Sequence, residues 1–291
     1  MIHVLAEKPF LSIQGEGVHA GRPSIFVRYA GCNLRCQFGL KCSNCNKVRD
    51  IPDYIQNVID NIDDYQNVED LPVFPTYCDT YIGILPEFRR FWINYETEEL
   101  VDYIVGLIRD NENYKDLTDI DIVFTGGEPM MHQDKMLMLI EKLSEYNLNN
   151  VTIETNGTLP IKEELLSQWE ELPVDLTFSV SPKISSANYT MQDTCIPKAV
   201  KSYSDLIDPN NDRIVLKFVV QDESDIHMVL QFVDQYKEAN CIVEEICLMP
   251  CGGKADPDFD ATQREVFDLC VKYNFRYSPR LQMIKLNSWG V

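Results

Sequence analysis

Cysteines are the residues of this chain best equipped for chemistry, and their spacing divides the ten of them into two groups. Cys32, Cys36, Cys42, Cys45 and Cys78 fall in or around one polar, loop-rich region, whereas Cys195, Cys241, Cys247, Cys251 and Cys270 are scattered singly. Closely spaced thiolates on a loop are soft ligands that suit zinc or an iron–sulfur cluster. In a reducing compartment disulfides are rare, so ligation explains the first group better than cross-linking does. A zinc site from Cys32, Cys36, Cys42 and Cys45 is one reading, although its spacing is cramped and it leaves Cys78 aside.

These groups need elements to hold them. Six apolar stretches read as strands: 24–29, 120–125, 151–154, 176–180, 214–220 and 243–248. Between them run helical periodicities on Leu100, Ile104, Leu107 and Ile108, on Met136, Leu139, Ile140 and Leu143, and on Ile226, Val229, Leu230 and Val233. Thr262 and Glu265 have the spacing of a capping box, predicting a last helix with Val266, Leu269, Cys270 and Tyr273 inward. Cys270 is then a core residue, since a free cysteine packs as a small hydrophobe.

Strands alternating with helices imply a parallel sheet, and six units suggest an α/β fold of the partial (β/α)6 barrel type. Chemistry in such barrels gathers at the C-terminal strand ends. The unusual motifs follow those ends: Cys32 to Cys36, Gly126-Gly127-Glu128-Pro129, Thr155-Asn156-Gly157-Thr158, Ser181-Pro182-Lys183 and Met249-Pro250-Cys251-Gly252-Gly253. Residues 37–77 break the rhythm and read as an insertion within a single domain spanning 1–291, with a short helix along Ile55, Val58, Ile59 and Ile62.

Bulk properties narrow the function classes. Twenty-six Lys and Arg stand against 46 Asp and Glu, giving a formal charge of −20. So acidic a surface repels a phosphate backbone, and no basic patch offsets it, so nucleic acid is not an expected partner. No apolar run approaches the ~18 residues that a spanning helix needs. The N-terminus shows no signal-peptide pattern, so a cytoplasmic protein without membrane association is expected.

Taken together, the motifs resemble the radical S-adenosylmethionine (SAM) superfamily, and within it the 7-carboxy-7-deazaguanine synthase family. The resemblance rests on Ser12 to Gly17, Gly21 to Arg28, Gly31 to Cys36, Cys78-Asp79-Thr80, Gly126 to Pro129, Glu154 to Thr158, Ser181 to Lys183 and Arg280 to Gln282. It spans nearly the whole chain outside the insertion. It implies a [4Fe-4S] cluster on Cys32, Cys36 and Cys78, with one iron left open for the amino and carboxylate groups of SAM. The third cysteine, which ordinarily follows soon after the second, lies beyond the insertion here. Cys42 and Cys45 become spare, and a triad of Cys36, Cys42 and Cys45 is the competing set.

The resemblance further implies SAM contacts from Gly126, Gly127, Glu128, Glu154, Ser181 and Lys183. It implies a small pterin substrate, 6-carboxy-5,6,7,8-tetrahydropterin, held by Gln14, Glu16, Arg28 and Thr125, and Mg²⁺ on Thr80. Gln282 stands where relatives often carry a histidine, and is expected to give a neutral hydrogen bond instead. An electron donor such as flavodoxin is an implied partner, and a homodimer is left open. None of His3, His19, His132 and His227 falls at a substrate position, and each is expected at the surface. Cys251 reads as a free loop thiol. An activating enzyme that makes a glycyl radical on a partner protein is the rival within the superfamily, and a non-catalytic zinc-binding interaction module is the rival of another class.

Overall fold

The computed structural model describes residues 1–5, 8–39, 51–74, 76–109, 111–253 and 256–285. Three short strands, β1 (Ile2–Val4), β2 (Phe10–Ile13) and β3 (Pro23–Tyr29), open the chain, the last being long enough to join the main sheet. Helices α1 (Asp53–Asp60) and α2 (Tyr81–Ile84) follow, then β4 (Ile93–Tyr95) and α3 (Thr97–Arg109). The βα rhythm continues with β5 (Asp121–Gly126), α4 (Gln133–Ser144), β6 (Asn150–Thr155) and α5 (Leu166–Glu170). It proceeds through β7 (Asp175–Val180), α6 (Met191–Thr194), α7 (Pro197–Leu206), β8 (Arg213–Val220) and α8 (Ser224–Glu238). The chain closes with β9 (Glu245–Pro250), α9 (Phe259–Tyr273), β10 (Arg276–Tyr277) and α10 (Gln282–Lys285).

One sheet runs β10-β9-β8-β7-β6-β5-β3-β1-β4, with β2 paired to β3. From β3 to β10 every neighbouring pair is parallel, while β1, β2 and β4 add antiparallel pairings at the β3 side. All six expected strands form, so the largely parallel α/β fold stands. The sixth begins at Glu245 rather than Val243.

Central strands are apolar on both faces, as a sheet covered by helices requires. Ile122, Val123 and Phe124 of β5 are fully buried, as are Ile214, Leu216 and Phe218 of β8. Helices cover the sheet with one stripe each, α3 through Leu100, Val101, Ile104, Val105 and Ile108, and α4 through Met136, Leu137, Leu139, Ile140 and Leu143. Burying each such side chain contributes about 1.5–3 kcal/mol.

Several local expectations are corrected. Thr262 does not cap α9; the helix starts at Phe259, whose buried ring anchors the first turn, and Thr262 N–H already bonds Asp258 O at 3.0 Å. Leu230 is 40% exposed, lying off the buried stripe of Ile226, Val229, Phe232 and Val233. Two histidines are not at the surface. His132 stacks on Tyr29 at 5.2 Å with Nε2 2.9 Å from Ala30 O, and His19 lies 3.3 Å from the buried Asp121 carboxylate. Thr152 Oγ1 donates to the same carboxylate at 2.8 Å, a polar cluster at the N-terminal end of the strands. Cys270 is buried in the core as expected.

Ile55, Val58 and Leu71 form a second apolar cluster with Tyr77, Tyr81, Leu85, Phe88 and Phe91, and Cys32 and Cys78 pack against it. Among the described residues no helix is long and apolar enough to cross a membrane.

Candidate active site

At the C-terminal strand ends lies an open cavity of about 260 Å³. Cys32, Cys36 and Cys78 line it, with Thr80, Gly126, Gly127, Glu154, Ser181 and Lys183. Gln14, Glu16, Arg28, Thr125 and Gln282 line it as well. Of the residues expected in the site, Glu128 alone is absent from its wall. Cys42 and Cys45 lie outside the described residues.

Cys78 reaches the cysteine loop because the chain returns at Tyr77 to the point it left at Phe38. Tyr77 N–H donates to Phe38 O at 2.7 Å, so the chain closes there and continues directly into Cys78. Cys36 packs with Ala187 and Tyr189, and Tyr189 OH accepts from Arg35 N–H at 2.7 Å, pinning the loop to the β7 side of the cavity. Asn33 bridges to Asn156, whose Nδ2 donates to Asn33 Oδ1 at 2.9 Å, while Asn33 Nδ2 donates to Thr158 Oγ1 at 2.8 Å. The Thr155-Asn156-Gly157-Thr158 turn therefore braces the cysteine loop.

Burial pushes the Cys32 thiol up to about 12, with the neighbouring Cys36 and Glu128 charges adding to it. Burial likewise pushes Cys36 up to about 11, and Cys78 well above its ordinary value. Such thiols ionise only when something cationic binds them, and a metal ligated by thiolate supplies that. Three mutually interacting thiols on one wall thus fit a cluster held by three thiolates. Among the described residues no His, Cys, Asp or Glu triplet has the spacing of a single-ion site.

The glycine loop is built into the cysteine loop. Gly127 N–H donates to Tyr29 O and Glu128 N–H to Gly31 O, each at 2.8 Å. A Cβ on Gly127 would lie 1.9 Å from Gly31 O, and Gly126 adopts φ +106°, open in practice only to glycine. Glu128 is held by the protein around it. Fully buried, its carboxylate accepts from Met130 N–H at 3.0 Å, Thr155 Oγ1 at 2.7 Å and Asn156 N–H at 2.7 Å. Burial raises its pKa against those bonds. It ties the glycine loop to the β6 turn.

On the opposite wall, Arg28 Nη2 donates to Thr80 Oγ1 at 2.9 Å, and Thr80 Oγ1 donates to Asp79 Oδ1 at 3.1 Å. Glu154 accepts from Thr125 Oγ1 at 2.7 Å and from Gln14 Nε2 at 3.3 Å. Lys183 Nζ donates to Ser181 Oγ at 2.9 Å.

Sequence reasoning missed two charged members of this wall. Lys217 of β8 donates to Glu16 Oε2 at 2.5 Å and lies 3.6 Å from Glu154 Oε1. Arg280 Nε lies 3.5 Å from Glu16 Oε1, and Gln282 Nε2 donates to the same oxygen at 2.6 Å. Burial opposes the Glu16 charge, but Lys217 and Arg280 outweigh it and hold the pKa down at about 2. One signal for Lys217 was available: a lone lysine inside the apolar run Ile214–Val220 must find a buried partner.

Comparison with known proteins gives the same direction from most of the chain. No family model matches. The chain is 28% identical over 293 residues to the 7-carboxy-7-deazaguanine synthase of Halobacterium salinarum, covering 96% of this chain and 88% of that one. It is 27% identical over 283 residues to the enzyme of the same name from Pyrobaculum aerophilum, covering 97% and 92%. The crystal structure of QueE from Escherichia coli has the same fold, with a TM-score of 0.53 at 20% identity over 95% of this chain and 93% of that one.

Proposed function

We infer that the chain belongs to the 7-carboxy-7-deazaguanine synthase family of radical SAM enzymes, and that it converts 6-carboxy-5,6,7,8-tetrahydropterin to 7-carboxy-7-deazaguanine with loss of ammonia. Product and ammonia together contain every atom of the substrate, so the conversion is redox-neutral and SAM acts as a regenerated cofactor. The observation that carries this reading is the single cavity shared by Cys32, Cys36 and Cys78 with Gln14, Glu16 and Arg28.

Cys32, Cys36 and Cys78 would hold a [4Fe-4S] cluster, which when bound would supply one-electron reduction of SAM and so the radical chemistry the conversion needs. The chain's own residues hold the reactants. The backbone of Gly126 and Gly127 receives the methionyl ammonium at close range. Lys183, oriented by Ser181, offers a cation to the SAM carboxylate, and Glu154 accepts from ribose hydroxyls. Across the cavity, the Arg28 guanidinium pairs with the substrate carboxylate. Glu16 and Gln14 accept the pterin N–H donors, with Thr125 and Gln282 completing that wall. The enclosing strand ends limit water around the reacting carbon and keep it near the deoxyadenosyl group.

Mg²⁺ is an additional cofactor in this reading. Thr80 Oγ1, with Asp79 beside it, suits a hard cation that takes its other oxygens from water and substrate. Residues 37–77 act as an insertion in the cluster loop of one domain.

The test is anaerobic cluster reconstitution followed by incubation with SAM, Mg²⁺, a reductant and the carboxypterin. A deazapurine chromophore should form while SAM is not consumed stoichiometrically. SAM cleavage without a deazapurine would remove the substrate assignment and leave the superfamily standing.

A further inference from the structure

Lys217 is an anomaly of placement. Its side chain is 5% exposed, on a strand whose other residues from Ile214 to Val220 are apolar. A buried ammonium is tolerated only when paired and hydrogen-bonded. Its pairing joins two carboxylates from distant parts of the chain, Glu16 ahead of β3 and Glu154 on β6.

Glu16 is correspondingly fixed. Lys217 holds Oε2, while Gln282 Nε2 and Arg280 Nε approach Oε1. The backbone around it is anchored too, with Glu16 N–H on Gln14 Oε1 at 3.1 Å and Gly17 N–H on Ser278 Oγ at 2.8 Å. An ionised carboxylate accepts about four hydrogen bonds and donates none. Three approaches therefore leave capacity for an incoming donor and none for an incoming acceptor.

We propose that Lys217 is a specificity-determining positioning residue, which keeps Glu16 an acceptor-only wall and so admits ligands with adjacent N–H donors at that edge. The inference rests on the pterin reading of the same cavity. A pterin presents its 2-amino group beside a ring N–H, two donors that match a carboxylate. The 2-oxo counterpart places a carbonyl oxygen where the amino group was, and its lone pairs face those of Glu16. With Lys217 removed, burial favours the neutral acid, whose O–H can donate to that carbonyl, and the discrimination relaxes. The charged groups around Glu16 are Lys217 on β8, Glu154 beyond it on β6, and Arg280 on the C-terminal segment.

Anaerobic calorimetry on the reconstituted, SAM-loaded protein would measure equilibrium binding of the carboxypterin and of its 2-oxo counterpart. The wild type should prefer the amino compound by at least about 10²-fold, because a site built around hydrogen bonds rejects analogues that leave them unmet. Lys217→Met should bring the two affinities within about tenfold of each other, and Lys217→Arg should restore most of the preference. Circular dichroism and iron content establish folding of each variant. Should Lys217→Met fail to fold, Lys217→Gln combined with Glu154→Gln removes the cation together with one of its carboxylates and carries the same readout. Wild-type selectivity in a folded variant lacking Lys217 overturns the role of Lys217 alone. Failure of the wild type to bind the carboxypterin overturns the pterin reading and this inference with it.

Discussion

Glu128 N–H donates to Gly31 O at 2.8 Å, and the Gly127 Cα sits so near that oxygen that a Cβ there would lie 1.9 Å from it. The loop assigned to SAM and the loop that carries Cys32 are thus one packed unit. Gly127→Ala should destabilise the protein by about 3 kcal/mol or more, the upper range for overpacking against backbone that cannot move aside. Thermal melting would show it, and calorimetry should show SAM affinity falling in parallel. An unchanged melting curve would mean the two loops are less tightly joined than this packing requires.

The acid limb of stability should carry a signature of Glu16. Its pKa is held from the ordinary 4.5 down to about 2. A depressed acid stabilises the folded state above its unfolded pKa, and loses that contribution as pH falls from about 4.5 toward 2. The contribution is on the order of 3 kcal/mol. Denaturant titrations of the apoprotein should show Glu16→Gln shedding this part of the pH dependence, and an identical slope for both proteins would count against the Lys217 and Arg280 pairing.

Thr80 offers a separable test of the magnesium assignment. Thr80→Ala should raise the Mg²⁺ needed for half-maximal turnover by about tenfold or more, while Thr80→Ser stays near wild type. SAM cleavage in the absence of the pterin should persist. Equal Mg²⁺ dependence in all three proteins would move the metal elsewhere.

The cluster ligands are tested by subtraction. Replacing Cys42 and Cys45 together by serine should leave the iron content and visible absorbance of the reconstituted protein unchanged, whereas Cys78→Ser should abolish SAM cleavage. Loss of the cluster in the double variant would reassign the triad.

How legible the site was depended on how local its signals are. Glycines, cysteines and the Ser181-Pro182-Lys183 turn act through their own backbone or a single group, and motif spacing places them at strand ends. Lys217 stands out only as a lone lysine in an apolar run, and its role stays illegible because it depends on Glu16 and Glu154, which only the folded sheet brings to it. Glu128 illustrates the converse: a carboxylate beside a glycine pair reads as a ligand, yet its three donors are supplied by the protein. For the fold, six long apolar strands announced themselves, while β1, β2 and β4 are three or four residues each and too short for period-two alternation to register. Thr262 misled because a capping pattern one turn inside a helix looks the same as one at its start.

The hydrogen-bonded step from Phe38 to Tyr77 makes the cysteine loop a grafting port. Sequence spliced there is a detour whose two ends already meet, and doubling the length of a flexible detour costs only about 0.6 kcal/mol of closure entropy. A foreign module with adjacent termini, seated between those residues and supplied with apolar cover for Tyr81 and Phe88, would add a new appendage to the fold without respacing Cys32, Cys36 and Cys78.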